Sequence, residues 1–313
     1  VSRHCVGLIT AQILRSPMLS HDDVIEASDA DNWRCEPDRQ TAARMIQSLE
    51  SGRVLYFPRL AFALKEEERR FLSPGCSDGK AKNVSRDPRD GSIQGTSCKD
   101  QDRNDLAAMI SRFATQARTL IESLFPRYAP HLQQARTSYR PVPVEQRFIS
   151  LRKDDSRLHV DAFASRPNRG KRILRIFTNI NPDGQPRVWN IGEPFENFAP
   201  KYYQRIAPQL PGSAWLLERL GITKGKRSFY DHIMLQMHDR AKLDDYYQQN
   251  ADKITFAFAP GSTWVMFSDR VLHAALSGQY LLEQTFHLPV SAMQDERCSP
   301  LRVLEQLYQR ELV

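Results

Sequence analysis

The sequence contains little cysteine, and its cysteines form no recognisable pattern. They are odd in number and scattered, and no two stand in a C-x-x-C arrangement: Cys5, Cys35, Cys76, Cys98 and Cys298. Neither a disulfide framework nor a cysteine-based zinc site is therefore predicted. Unpaired cysteines are typical of a reducing compartment, and the cytosol is the expected location.

Long hydrophobic runs are also missing. No apolar stretch approaches the roughly 20 residues that a membrane-spanning helix needs. The stretch "VGLITAQIL" at residues 6–14 is apolar but short, and no sequence of the kind that signal peptidase cleaves follows it. We therefore interpret residues 1–17 as an N-terminal extension without a structural role.

Positive charge, by contrast, is in surplus. The chain has 44 Lys and Arg against 37 Asp and Glu, a net charge of +7. Such a surplus favours an acidic partner, whether nucleic acid, anionic lipid or an acidic sugar. No motif that interleaves aromatic and basic residues is present, so nucleic acid is not the predicted partner.

The first part of the chain predicts helices joined by loops. Helical apolar spacing occupies three segments, residues 38–51, 62–72 and 105–125. "RVLYFP", which follows Gly52, predicts a short buried strand, and residues 73–104 predict a long loop rich in Gly, Ser, Asp and Lys. Residues 18–143 are expected to form an N-terminal helical, α/β support region.

From about residue 144 the sequence changes to short β-rich runs. They include "RLHVDAF", "RILRIFTNI", "RVWNIG", "ITFAFAP", "STWVMFS", "HAALS" and "LEQTFHLPV", separated by Gly, Pro, Asn and Asp. Short strands punctuated in this way predict a sandwich or a barrel. We predict an α+β fold in which residues 144–313 form a double-stranded β-helix, or jelly roll, with a helical insert at about residues 196–250.

Two candidate metal ligands, His159 and Asp161, lie one residue apart in "RLHVDAF". A third, His273, follows in the β-rich segment "STWVMFSDRVLHAALSG". Two histidines and one carboxylate form the facial triad that holds non-haem Fe(II) and leaves three coordination positions open. The alternative is that the pair is only a polar corner of a strand.

Other histidines suit a metal site less well. His232 and His238 fall in the predicted helical insert, and a second His-x-Asp pair, His21 and Asp23, has no strand around it. We therefore assign the metal to the triad that contains His273.

An iron of this kind needs an electron-donating cosubstrate, and 2-oxoglutarate is suitable because its keto acid end can occupy two metal positions. Its distal carboxylate needs a cation. Many such enzymes carry an Arg on the strand after the distal His, where this chain has Glu283 and Gln284. Arg175 in "RILRIFTNI" is the alternative anchor, because an Arg between apolar strand neighbours is costly to bury unless it is paired.

Polar residues near this anchor are expected to assist it, namely Thr178, Asn179 and Gln284. The competing interpretation of Arg175 is an arginine at a strand edge that reaches water or pairs with a structural carboxylate.

The segments "RKDDSRLHVDAFASRPNRGKRILRIFTNINP" and "FAPGSTWVMFSDRVLHAALSGQYLLEQTFHLPV" resemble the Kdo hydroxylases. "RVLYFPRLAF", "AKNVS", "ARTSYRP", "GEPFE" and "RSFYDHIMLQMHD" are similar to the same family, so the resemblance covers roughly residues 33–305. It implies an Fe(II)- and 2-oxoglutarate-dependent dioxygenase with His159, Asp161 and His273 as ligands. Such an enzyme adds a hydroxyl group to C3 of Kdo (3-deoxy-D-manno-oct-2-ulosonic acid) and releases succinate and CO₂.

The acidic sugar and its phosphorylated lipid A carrier need cations. Arg166 and Arg169, which closely follow Asp161, are the favoured grip on the sugar carboxylate, with Lys82 and Asn83 of "AKNVS" as further candidates. The expected partners are a Kdo-bearing lipid A glycolipid and O₂, with peripheral contact at the inner face of the bacterial inner membrane. The alternative function is a non-oxidative, cupin-type metal-dependent sugar-binding protein or isomerase.

Overall fold

The computed structural model describes residues 19–146 and 150–313, so the predicted extension at residues 1–17 lies outside the described residues. The described helices are α1 (His21–Val24), α2 (Arg39–Ser51), α3 (Asp100–Leu124), α4 (Phe195–Tyr202), α5 (Ser213–Arg219), α6 (Phe229–Leu243), α7 (Asp245–Asn250) and α8 (Pro300–Tyr308). None of them combines the length and the apolar character that crossing a bilayer requires.

The described strands are short and lie on both sides of residue 144. They are β1 (Ile25–Ala27), β2 (Val54–Phe57), β3 (Val84–Arg86), β4 (Ile93–Gln94), β5 (Gln133–Arg140), β6 (Arg172–Asn179), β7 (Arg187–Gly192), β8 (Lys253–Phe258), β9 (Thr263–Phe267), β10 (His273–Ser277) and β11 (Leu281–Leu288).

These strands build two sheets. The larger has the order β1-β2-β9-β6-β11-β5-β3-β4, and the smaller has the order β10-β7-β8. Neighbouring strands are antiparallel except β1 and β2. The structure is therefore a mixed α and β protein with one large, mainly antiparallel sheet.

The inner faces of the two sheets pack against each other through aromatic rings. Trp189 of the small sheet lies with its ring centroid 4.9 Å from that of Phe177 and 5.5 Å from that of Trp264, both in the large sheet. Phe258 stacks on Trp264 at 4.1 Å. Buried aromatic pairs of this kind hold two sheets together by area and by ring geometry.

The outer face of the large sheet is covered by α3. Its buried residues recur every three or four positions, as an amphipathic helix requires: Leu106, Met109, Ile110, Phe113, Ala117, Leu120, Ile121 and Leu124. They join one hydrophobic cluster with strand residues such as Ile176, Val265 and Leu282. The large sheet thus has an outer apolar face for α3 and an inner face available to the second sheet.

The helices α4, α5, α6 and α7 lie between β7 and β8, where the helical insert was predicted. Strands β6 to β11 fall within one or two residues of the predicted β-rich runs. The segment "RLHVDAF" differs, because it forms only an isolated bridge between His159 and His273.

The N-terminal part departs further from expectation. The helix predicted at residues 62–72 is a short 3₁₀ helix, Glu66–Phe71, and the predicted loop at 73–104 contains β3, β4 and the first turn of α3. Strands of two or three residues are too short to show a periodic pattern, so the sequence alone does not predict them. The division predicted at residue 144 stays a prediction, but the large sheet runs across it because β2 pairs with β9 and β5 with β11.

Candidate active site

The three predicted metal ligands converge through backbone pairing. His159 N–H donates to the His273 carbonyl at 3.1 Å, and His273 N–H donates to the His159 carbonyl at 2.9 Å. Asp161 N–H donates to the carbonyl of Ser268 at 2.8 Å. Residues far apart in sequence are thus fixed on one side of the small sheet.

Their side chains face a common point. One potential ligand atom from each of His159, Asp161 and His273 lies within 4.8 Å of the other two. Nε2 of His159 is 3.9 Å from Oδ1 of Asp161, and Nε2 of His273 is 4.0 Å from Oδ2. These separations are too long for hydrogen bonds and leave room for an ion between the three groups.

Hydrogen bonds fix the tautomers of both histidines. Nδ1 of His159 lies 2.7 Å from the carbonyl oxygen of Arg157, and Nδ1 of His273 lies 2.8 Å from that of Val271. A carbonyl oxygen only accepts, so Nδ1 carries the proton and Nε2 presents a lone pair to the shared point. Histidines that bind a metal are usually oriented in this way.

Burial and neighbouring charges set the protonation states that a metal needs. Burial lowers the pKa of His159 and of His273, which favours the neutral imidazole. Burial acts to raise the pKa of Asp161, but the neighbouring Arg175 guanidinium acts in the opposite direction, and that pKa lies well below its usual range. Two neutral imidazoles and a carboxylate are the forms that ligate a divalent cation.

The helical insert clamps the backbone on both sides of the pair. Gln248 of α7 accepts from Leu158 N–H at 2.7 Å and donates to the Leu158 carbonyl at 2.9 Å. Asp231 of α6 accepts from the N–H groups of Asn168 and Arg169 at 3.0 and 2.9 Å. The segment that carries His159 and Asp161 is therefore held by the insert as well as by the sheet.

A cavity of about 810 Å³ opens beside the triad. Strand register explains part of its lining: Arg175 lies opposite Thr285, and Phe177 lies opposite Glu283. Because side chains alternate along a strand, these four face the same side of the large sheet. All four line the cavity, together with Trp189 and Ala275 from the small sheet.

Alternating charges line the cavity. Nη1 of Arg175 is 3.2 Å from Oδ2 of Asp161 and 3.2 Å from Oε1 of Glu283. Nη2 of Arg140 is 2.5 Å from the other Glu283 oxygen, and Nη1 of Arg140 is 3.2 Å from Asp155. Burial acts to raise the pKa of Glu283, but Arg175 and Arg140 lower it further than burial raises it.

Six buried polar atoms on residues that line the cavity make no hydrogen bond within the described residues, and three of them belong to Asp161 or to residues that contact the triad. These three are Oδ2 of Asp161, Nε of Arg175 and Nε1 of Trp189. A buried polar atom without a partner is costly, so such atoms indicate a missing ligand. An oxygen lone pair beside two imidazole nitrogens suits a metal ion, and two N–H donors suit a ligand that offers oxygen atoms.

The predicted helpers of Arg175 are elsewhere. The Thr178 hydroxyl donates to the carbonyl of Ser262 at 3.1 Å, and the Gln284 side chain accepts from Thr137 at 2.6 Å, both on the opposite face of the large sheet. At the end of β6, the Asn179 amide donates to the backbone carbonyls of Gln185 and Phe258. These three expectations are corrected: their polar groups stabilise the fold and do not line the cavity.

The predicted sugar-binding residues are separated by the fold. Arg166, Lys82 and Asn83 line the cavity, and Nζ of Lys82 lies 2.6 Å from Asp155. Arg169 does not line it. Its φ of 51° and the φ of 78° at Gly170 turn the chain away, and Arg169 borders a separate depression beside α5. The expectation for Arg169 is therefore corrected.

Several lining residues were not singled out from the sequence. Arg140, Arg136 and Lys242 add cations from β5 and α6. His238, which the sequence placed in the insert, lies in α6 with its ring centroid 5.2 Å from that of His159. Trp189 stacks on His273 with centroids 5.4 Å apart. Side chains alternate between the two faces along the β-rich run "RVWNIG", and this alternation is the one signal in the sequence that indicates an inward-facing Trp189.

Comparisons with known proteins are consistent with this geometry. A family model described as 3-deoxy-D-manno-oct-2-ulosonic acid (Kdo) hydroxylase matches residues 32–311. A solved structure of the Kdo hydroxylase KdoO, a non-haem Fe(II) α-ketoglutarate-dependent dioxygenase in complex with α-ketoglutarate and Fe(III), is 47% identical. It covers 93% of this chain and 97% of its own, with a TM-score of 0.89.

Two further KdoO structures are equally similar. The complex with cobalt(II) is 48% identical, covers 92% of this chain and 97% of its own, and has a TM-score of 0.90. The complex with succinate and Fe(III) is 47% identical, with coverages of 92% and 97% and a TM-score of 0.89. A search of curated proteins returned no match. Because the family match spans most of the sequence, the chain belongs to the Kdo hydroxylase family.

Proposed function

We propose that the protein is an Fe(II)- and 2-oxoglutarate-dependent dioxygenase that hydroxylates C3 of Kdo in the inner core of lipopolysaccharide. The observation that carries the proposal is the triad of two buried, neutral imidazoles and one carboxylate, beside a cavity with unpaired donors. KdoO, which is nearly half identical over almost the whole chain, is described with the same metal and cosubstrate.

The metal ligands in this proposal are Nε2 of His159, Nε2 of His273 and a carboxylate oxygen of Asp161. Iron bound by these groups supplies the redox chemistry that couples decarboxylation of 2-oxoglutarate to succinate and CO₂ with transfer of one oxygen atom from O₂ to the sugar. The protein keeps both histidines neutral by burial and fixes their rings through the carbonyls of Arg157 and Val271.

Arg175 is the proposed anchor for the distal carboxylate of 2-oxoglutarate. Its guanidinium lines the cavity beside Asp161, and its Nε has no hydrogen-bond partner in the described residues. A planar guanidinium can bind a carboxylate through two parallel hydrogen bonds. Trp189, whose ring N–H also lacks a partner, offers a further donor next to His273.

Arg166 is the proposed grip on the Kdo carboxylate, with Lys82 and Asn83 on the cavity wall. Burial and the nearby Arg136 and Arg89 all lower the pKa of Arg166, which reveals a concentration of positive charge there. No ion pair within the described residues neutralises Arg166. Its role is to hold the acidic end of the sugar so that the neighbouring C3 faces the triad.

The proposal also covers the fold, the lipid-borne substrate and the location of the protein. The two facing sheets are a double-stranded β-helix, with residues 18–143 as a support region and 144–313 as the catalytic core. The substrate is a Kdo-bearing lipid A glycolipid, and the protein meets it peripherally at the cytosolic face of the inner membrane. The free cysteines among the described residues are consistent with a reducing compartment.

The non-oxidative alternative, a cupin-type sugar-binding protein or isomerase, is not favoured. It would not need a cation placed beside the metal ligands to bind the distal carboxylate of 2-oxoglutarate, as Arg175 is. The sequence match to Kdo hydroxylases also spans nearly the whole chain.

The test is to incubate Kdo-bearing lipid A with the protein, Fe(II), 2-oxoglutarate and O₂. Mass spectrometry of the released sugars should show a gain equal to one oxygen atom on Kdo, with succinate formed in equal amount. A sugar of unchanged mass, or a changed sugar when 2-oxoglutarate is omitted, would contradict the proposal.

A further inference from the structure

The segment around α5 exposes apolar side chains that the rest of the fold does not use. No residue of α5 is buried, and Trp215 and Leu216 are 60% and 50% exposed. Leu210 before the helix, and Leu220 and Ile222 after it, are 74%, 62% and 56% exposed. We call these five side chains the apolar ridge. Large exposed apolar side chains that are grouped in one segment of a folded chain often mark an interaction surface.

Unpaired cations border the apolar ridge. Residues 206–227 contain one acidic side chain, Glu218, and four basic ones, Arg219, Lys224, Lys226 and Arg227. None of the four forms an ion pair within residues 19–146 and 150–313, although many other arginines of this protein do. A surface that combines tryptophan and leucine with unpaired cations matches the boundary between acyl chains and anionic head groups.

The apolar ridge is fixed next to the mouth of the cavity. Lys224 N–H donates to the Ser165 carbonyl at 2.8 Å, and Nη2 of Arg227 donates to the Ala164 carbonyl at 2.7 Å. Ala164 and Ser165 line the cavity and closely follow Asp161. A surface that contacted the apolar ridge would therefore lie against the entrance to the active site.

We infer that the apolar ridge is a bilayer-docking surface: its side chains enter the headgroup–acyl boundary of an anionic membrane, and the bordering cations contact lipid phosphates. The inference rests on the proposed function, because a lipid-anchored sugar is presented at such a surface. It goes further in assigning the contact to α5 and its flanks, and in making apolar insertion a part of the binding in addition to charge.

Vesicle flotation tests the inference without any turnover. Vesicles of phosphatidylethanolamine and phosphatidylglycerol, free of Kdo, are compared with vesicles of phosphatidylcholine. In the double variant Trp215→Ser/Leu216→Ser, the partition constant for the anionic vesicles should fall at least tenfold. Moving one such side chain from water into an apolar environment raises that constant by about tenfold or more. Tyr246→Ser, which removes an exposed aromatic residue outside the apolar ridge, is the matched control and should bind as the wild type does.

A second pair of variants separates charge from insertion. Lys224→Ala/Lys226→Ala should weaken binding by about fivefold per cation on anionic vesicles and leave binding to phosphatidylcholine unchanged. At about 1 M salt, where charges are screened beyond about 3 Å, the wild type should keep binding that Trp215→Ser/Leu216→Ser has lost. Unchanged thermal unfolding of both variants would exclude a folding defect, as expected for a helix without buried residues.

Three results would contradict a role of the apolar ridge in bilayer docking. Wild-type protein that stays off anionic vesicles, or a Trp215→Ser/Leu216→Ser variant that binds as the wild type does, overturns the inference. A wild-type dimer that the double variant dissociates, without vesicle binding, would instead assign the apolar ridge to self-association. Asp161→Ala should float with vesicles like the wild type, so a failure of the catalytic proposal is distinguishable from a failure of this one.

Discussion

The cavity beside the triad and the apolar ridge differ in how their side chains are stabilised. In the cavity, the buried Glu283 pairs with the buried Arg140 and with the largely buried Arg175, and all three lie on strands of one sheet. At the apolar ridge, large apolar groups face water, and the neighbouring cations have no ion-pair partner in the described chain. The cavity is thus arranged before any ligand arrives, whereas the apolar ridge lacks a partner that it would need to be fully stabilised.

The difference suits the two sites to different functions, catalysis in the cavity and surface contact at the apolar ridge. Groups on neighbouring strands keep fixed distances, which chemistry at a metal requires. Groups on an exposed helix without buried residues can meet a surface of variable shape. We therefore expect changes in the cavity to alter turnover and acid stability, and changes at the apolar ridge to alter only access to a lipid-borne substrate.

The largest expected effect follows from removing a metal ligand. His273→Ala or Asp161→Ala should reduce hydroxylation by more than about 100-fold, since even the residues that merely orient a ligand cost about 10–100-fold. Calorimetric titration with Co(II) should show the loss of the site. His232→Ala, a histidine of the insert that does not line the cavity, is the control, and a triad variant with wild-type Co(II) affinity would refute the assignment.

Arg175→Lys should raise KM for 2-oxoglutarate by about 10–100-fold, because a point charge cannot reproduce the paired hydrogen bonds of the guanidinium. Steady-state succinate formation measures the change. Arg172→Lys is the matched control: Arg172 lies on the same strand but pairs with Asp269 at 2.7 Å, away from the cavity. If both variants keep the wild-type KM, the anchor is another cation.

Glu283→Gln tests whether the cavity charges stabilise the fold. Because Arg175 and Arg140 depress the pKa of Glu283, its contribution is present above about pH 4.3, the ordinary glutamate pKa, and is lost as pH falls through the lower folded value. The variant should be destabilised by about 1.5–3 kcal/mol at neutral pH, and less in acid. Chemical denaturation at both pH values measures this difference, and an equal loss at each would contradict it.

The smallest expected effect distinguishes the two arginines that follow Asp161. Arg166→Ala should lower kcat/KM for the Kdo substrate by about tenfold, as expected for one charge-assisted hydrogen bond at an exposed site, and leave KM for 2-oxoglutarate unchanged. Arg169→Ala should leave kcat/KM for a delipidated Kdo substrate unchanged, because Arg169 lies outside the cavity. Equal losses in both variants would return Arg169 to the sugar site.

The strands of the second half of the chain and the triad could be predicted because both follow from local sequence patterns. Apolar runs such as "RILRIFTNI" are bounded by turn residues, so β6 to β11 could be located closely. The alternation of strand side chains could also have excluded Thr178, which must face away when Arg175 faces inward. Strand register gives no such warning for Asn179, because it shares the parity of Arg175 but lies at the end of β6.

Other features depend on tertiary contacts that no local pattern reports. Arg140 and Lys242 reach the cavity from segments distant in sequence, and His238 approaches His159 only because α6 folds over the cavity. The direction of Arg169 depends on a left-handed turn at Arg169 and Gly170. A helix such as α5, with no buried residue, is visible as an exposed surface only once the fold is known.

The central claim is that one cavity couples 2-oxoglutarate to hydroxylation of Kdo, and labelled oxygen tests it most directly. After turnover under isotopically labelled O₂, mass spectrometry should find one labelled atom in succinate and one in the new hydroxyl group at C3 of Kdo. Label in succinate alone, with Kdo unchanged in the presence of a lipid-borne substrate, or label in neither product, would contradict the account.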